Sequence, residues 1–174
     1  FKERHRLIEI CASFFQFMRC YSVMSGVVVL CIAYLGLQAI VLPEGNYDSM
    51  RYNLTRVLLF QQERSMLLTN VTEYHQAVFP VGGDILSHLF LRYYTDYGLA
   101  TIRFLAYLSI GFGSYALSRN HASSNVAWTV MLIVISFPLL VRQATGTKPD
   151  IMATSVVVLC FLCAERLLSR PHLR

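Results

Sequence analysis

From Cys20 to Pro43 the chain runs for 24 residues without a charge. Because about 20 apolar residues cross a hydrocarbon layer of about 30 Å, this run predicts a transmembrane helix over residues 22–42. Residues 119–142 read the same way. Two other apolar runs contain charge: residues 97–118 enclose Arg103, and residues 150–168 hold Glu165 and Arg166 near their end. Charges there are tolerated if they snorkel or face protein. The expected fold is therefore all-α and polytopic, with about four transmembrane helices.

The pattern changes between the first two runs. In residues 43–96 the period is that of helices lying on a membrane surface. Met50, Leu54, Val57, Leu58 and Phe60 fall on one side of a helix over residues 48–62, with Asp48, Arg51, Tyr52, Thr55 and Gln62 on the other. After Gly82-Gly83 a second amphipathic segment begins at Asp84. Ile85, Leu86, Leu89, Phe90 and Tyr93 make its apolar side, and Asp84, His88, Arg92 and Asp96 are expected to stay wet. Residues 64–78 read as polar and irregular, with Glu73, Tyr74 and His75 clustered.

Composition agrees with a membrane protein: 55% of the 174 residues are hydrophobic and 14% charged, with a mean hydropathy of +0.49. The first run lacks a small-residue cleavage site and is read as an uncleaved span. Lys2, Arg4, Arg6 and Arg19 in the basic arm over residues 1–21 place the N-terminus in the cytoplasm. Four spans then put Arg119 and the tail over residues 169–174 inside, and residues 43–96 and the turn 143–149 outside. The net charge of +5 is spread over both sides and forms no aromatic-basic patch, which excludes a nucleic-acid partner. Five cysteines near the spans and none in the outer loop imply no disulfide framework.

The chemistry gathers on the outer side. Asp48, at the mouth of the first span, is positioned to act as a general base on an incoming hydroxyl or amine, or to ligate a divalent metal. The alternative is a helix cap. Asp150 opens the fourth span on the same face, where it too reads as a cap or as a second acid of a shared site. Arg142 and Lys148 beside it suit a phosphate. Arg51 and Arg56 flank Tyr52 and suit lipid headgroups or a lipid-linked phosphate.

Together these segments resemble a known family. Tyr47-Asp-Ser-Met-Arg-Tyr-Asn-Leu-Thr-Arg-Val57 is similar to the W-D-S-x-x-Y-H-L-P-R-V segment that follows the first span in bacterial membrane glycosyltransferases of the GT-C fold, relatives of the aminoarabinose and protein mannosyltransferases. Arg142-Gln-Ala-Thr-Gly-Thr-Lys-Pro-Asp150 resembles their R-x-A-T-x-P-D turn. The resemblance covers the N-terminal part of such enzymes. It implies a bacterial inner-membrane protein that transfers a sugar from a polyprenyl-phosphate donor to an acceptor at the outer face. Asp48 matches the catalytic base and Asp150 the second acidic position, near donor phosphate or a metal. Arg51, Tyr52, Arg56, Arg142 and Lys148 are the candidates for substrate binding. The competing expectation is a non-catalytic membrane subunit, packing small-residue faces such as Gly111-Phe-Gly113-Ser114 against a larger membrane protein partner.

Overall fold

A computed structural model describes residues 2–47, 49–68, 71, 73–78, 81–93 and 97–169, with side chains from Ile8 onward. The described residues are helical throughout, with no strand among them. In chain order the helices are α1 (Lys2–Cys20), α2 (Ser22–Val41), α3 (Leu54–Glu63), α4 (Tyr74–Val78), α5 (Gly82–Leu91), α6 (Thr101–His121), α7 (Ser124–Ile135), α8 (Pro138–Ala144) and α9 (Asp150–Leu168). A single π-helical turn, Ser49–Asn53, leads into α3. Helices α2 and α9 are long and apolar enough to cross a membrane, and the bent pair α7 and α8 together makes a third such segment.

Helix α6 is the hub, packed against α7, α9, α8 and α2. Two glycines allow the close approach. A Cβ on Gly111 would stand 2.6 Å from Ile135 Cγ2, and one on Gly113 would stand 2.5 Å from Val158 Cγ1. The small-residue face expected to await a partner is thus filled by α7 and α9 of the same chain. At the other end of the spans, Glu165 accepts hydrogen bonds from Asn120 Nδ2 at 2.8 Å and contacts His121 Nε2 at 2.5 Å. That pairing satisfies the late charge in α9.

The apolar run over residues 119–142, expected as one span, is broken. Helices α7 and α8 meet at 68° across Ser136-Phe137. Pro138 supplies the cause: it has no N–H to give back to the preceding turn, and it forces Phe137 into an extended conformation. The carbonyl of Ile135, left without a helical partner, accepts the Tyr107 hydroxyl at 2.8 Å. The second run is also displaced, beginning at Thr101 instead of residue 97. The basic arm is itself a helix, α1, docked by Phe14 and Phe17 against Trp128 of α7.

Residues 43–93 depart from expectation at particular positions, where polar side chains are buried. On α5 the buried residues are Gly83, Asp84 and Ser87, while Leu89 and Tyr93 are exposed. On α3 Arg56 is buried with Val57 and Phe60, and Leu58 is exposed. Of the face expected to stay wet, Asp84 is buried, His88 is half-buried and Arg92 is exposed, while Asp96 lies outside the described residues.

Candidate functional site

The hidden polar residues form one cluster, which ties α3 and α5 to α6 and to the turn before α9. Arg56 Nε donates to Asp84 Oδ2 at 2.5 Å, and Nη1 donates to the Gln76 carbonyl at 2.9 Å. Burial pushes the Asp84 carboxyl above its ordinary 3.8, against the pull of Arg56. Arg103, the charge inside the second apolar run, is fully buried. Its Nη2 donates to Gly83 O at 2.9 Å, Ser87 Oγ at 2.7 Å and Thr147 O at 3.2 Å. One guanidinium therefore joins α6 to α5 and to the turn before α9.

Above this cluster lies a cleft of about 370 Å³, walled on one side by Gln38, Glu44, Asn46 and Tyr47 and on the other by Arg142 and Gly146. Asn46 Nδ2 lies 3.8 Å from the position a Gly146 Cβ would take. Next to it, the Thr147 N–H donates to Ser49 Oγ at 3.4 Å. The segment around Ser49 and the turn before α9, 98 residues apart, are thereby in contact. Asp48 itself lies outside the described residues.

Glu44 is the acid that sequence reasoning passed over. Burial pushes its carboxyl above the ordinary 4.5, opposed by the Asn46 N–H, by Ser49 and by the charge of Arg103. Its Oε1 accepts the Asn46 N–H at 2.9 Å, and its Oε2 is buried with no partner among the described residues. A carboxyl with a raised pKa and a spare oxygen in a cleft fits proton transfer. The available signal was its place as the first acid after the uncharged run.

The other candidates divide. Arg142 lines the cleft. Lys148 is half-buried, and Asp150 is exposed as the first residue of α9, its side chain outside the cleft lining. Arg51 is exposed, bonded to Glu73 at 3.1 Å and lying 5.7 Å over the Tyr47 ring. Tyr52 stacks on His75 at 5.6 Å. Glu73 also accepts His75 Nδ1 at 2.7 Å; that bond first, and Arg51 after it, hold its carboxyl below the ordinary 4.5. Arg56 is not part of the cleft lining; it is buried beside Val57 and Phe60 and held in its ion pair with Asp84. Among the described residues no three acids, histidines or cysteines gather to hold a metal ion.

Comparison with protein-family models, curated proteins and solved structures finds no match to this chain.

Proposed function

We propose that the protein crosses a bacterial inner membrane four times, through α2, α6, the bent pair α7 and α8, and α9, with its N-terminus in the cytoplasm and α3 and α5 at the outer interface. In this reading it carries the outer-face site of a GT-C type glycosyltransferase. The observation that supports the proposal is the hydrogen bond from the Thr147 N–H to Ser49 Oγ, which joins two distant segments that separately resemble the same family.

The reaction would be a direct displacement at the anomeric carbon of a polyprenyl-phosphate-linked sugar. Asp48 takes the proton of the acceptor hydroxyl or amine as the new bond to the sugar forms, and the polyprenyl phosphate leaves with the bonding pair. Arg142 at the cleft wall, with Lys148 nearby in the chain, stabilises the charge on the departing phosphate. Glu44, in the cleft with Arg142, is a second candidate proton acceptor.

The test is release of polyprenyl phosphate by the protein reconstituted in liposomes with a panel of polyprenyl-phosphate sugars. Asp48→Asn is expected to reduce release by about 10²-fold or more while membrane insertion and thermal stability persist. Wild-type release by that variant removes the general-base assignment. No release by the wild-type chain from any donor, with the fold intact, favours the non-catalytic subunit.

A further inference from the structure

Helices α3 and α5 pack against each other, with Arg56 on Asp84. Phe60 and Arg64 from the first and His88 and Arg92 from the second line a second cavity of about 480 Å³, together with Gln61, Ser65 and Met66. One end of the helix pair therefore matches a cation to an anion. The other end sets two arginines around one space.

Three observations separate this space from an ordinary basic surface. Neither Arg64 nor Arg92 has a hydrogen-bond or ion-pair partner among the described residues, and no acid is part of the lining. His88, between them, has a buried Nδ1 that is also without a partner there. Arg64 ends α3 in the left-handed region, at φ 52°. Glycine or asparagine takes that position at less cost. An arginine held in a strained conformation at the rim of a cavity points to a use for its side chain.

The surroundings identify the ligand class. Met66, Leu67, Leu89 and Tyr93 flank these residues in the chain and are exposed, so an apolar surface adjoins the cationic space. The geometry points to a binding site for a phosphate group between Arg64 and Arg92, with His88 as an additional donor, supplied by an anionic phospholipid whose chains lie along the neighbouring apolar side chains. Arginine suits a phosphate because its planar fork donates two parallel hydrogen bonds. This site is separate from the Arg142 cleft and stands whether or not that cleft transfers sugar.

The full chain, purified in detergent, is examined by native mass spectrometry and thermal melting with phosphatidylglycerol, with phosphatidylcholine, and with inorganic phosphate. The wild type should retain phosphatidylglycerol at least tenfold better than phosphatidylcholine. Arg64→Gln/Arg92→Gln should lose that preference, Arg64→Lys/Arg92→Lys should keep part of it, and the charge-matched Arg19→Gln/Arg166→Gln should keep all of it. Stabilisation by inorganic phosphate that disappears in Arg64→Gln/Arg92→Gln, without lipid preference, supports the phosphate site and assigns it to a soluble ligand. Equal lipid retention and equal phosphate response in wild type and Arg64→Gln/Arg92→Gln overturn it. If that variant does not fold, loss of the preference in Arg64→Gln alone supports the site, and its persistence there overturns it.

Discussion

Arg56 and Asp84 meet inside the protein, their side chains 1% and 2% exposed, so that an ion pair fixes α3 to α5. Removing one partner leaves the other charged, buried and alone, at a cost of about 3–5 kcal/mol. Arg56→Met and Asp84→Leu are each expected to be strongly destabilising in detergent melts. The double variant should be much less so, because two apolar groups of similar size leave no uncompensated charge. Additive losses in this cycle would show that the two side chains act independently.

Glu44 and Glu73 should respond oppositely to pH. The Glu44 carboxyl is raised above 4.5 by burial, so its contribution to stability is complete below 4.5 and is lost as pH rises through its folded value. Glu44→Gln, which mimics the protonated form, should melt above wild type at pH 7 and with it at pH 4. Glu73 is held below 4.5 by His75 and Arg51. Its contribution is present above 4.5 and fades as pH falls through its folded value, so Glu73→Gln should cost stability at pH 7 and little at low pH. The same sign for both variants would contradict the opposed environments.

The outline of the fold was legible where apolar runs are unbroken. Residues 22–42 and 150–168 were expected as spans, and α2 and α9 occupy Ser22–Val41 and Asp150–Leu168. The break between α7 and α8 was not legible, because Ser136-Phe137-Pro138 is as apolar as its flanks and a proline can persist within a continuous span. The burial of Asp84 on α5 was missed for another reason. Periodicity finds two faces but not the solvent each one meets, and Asp84 was assigned to water because its partner stands 28 residues earlier. The cleft was half legible: Arg142 and the neighbours of Asp48 were singled out, whereas Glu44 becomes distinctive only once burial shifts its carboxyl.

The packing of α6 predicts a rescue. A methyl on Gly113 collides with Val158 Cγ1, and forcing extra volume into a packed interface costs about 1–3 kcal/mol. Gly113→Ala should therefore lower the melting temperature, and Val158→Ala added to it should restore most of the loss. Gly26 on α2 has nothing within 4 Å of a Cβ. There the same change should stabilise by up to about 1 kcal/mol, since glycine is a poor helix residue. A loss at Gly26 equal to that at Gly113 would show that helix backbone, not contact, sets both effects.

The bend at Pro138 offers a separation of stability from activity. Helix α8 carries Arg142 to the cleft only because the chain turns by 68° after α7. Pro138→Ala restores an N–H and lowers the barrier to a continuous helix, and a straightened run would carry Arg142 out of the cleft wall. Pro138 stands at the first position of α8, where proline is well tolerated, so the variant should melt close to the wild type. Its release of polyprenyl phosphate should fall nonetheless, by an amount similar to that of Arg142→Gln. Tyr107→Phe tests the same bend from the other side, because it strips the Ile135 carbonyl of the hydroxyl it accepts. In the wild-type background that loss should cost about 1–3 kcal/mol, and with Pro138→Ala much less, since a continuous helix supplies Ile135 with a backbone partner. Full release by Pro138→Ala, or an undiminished cost of Tyr107→Phe beside it, would dissociate the bend from the placement of Arg142.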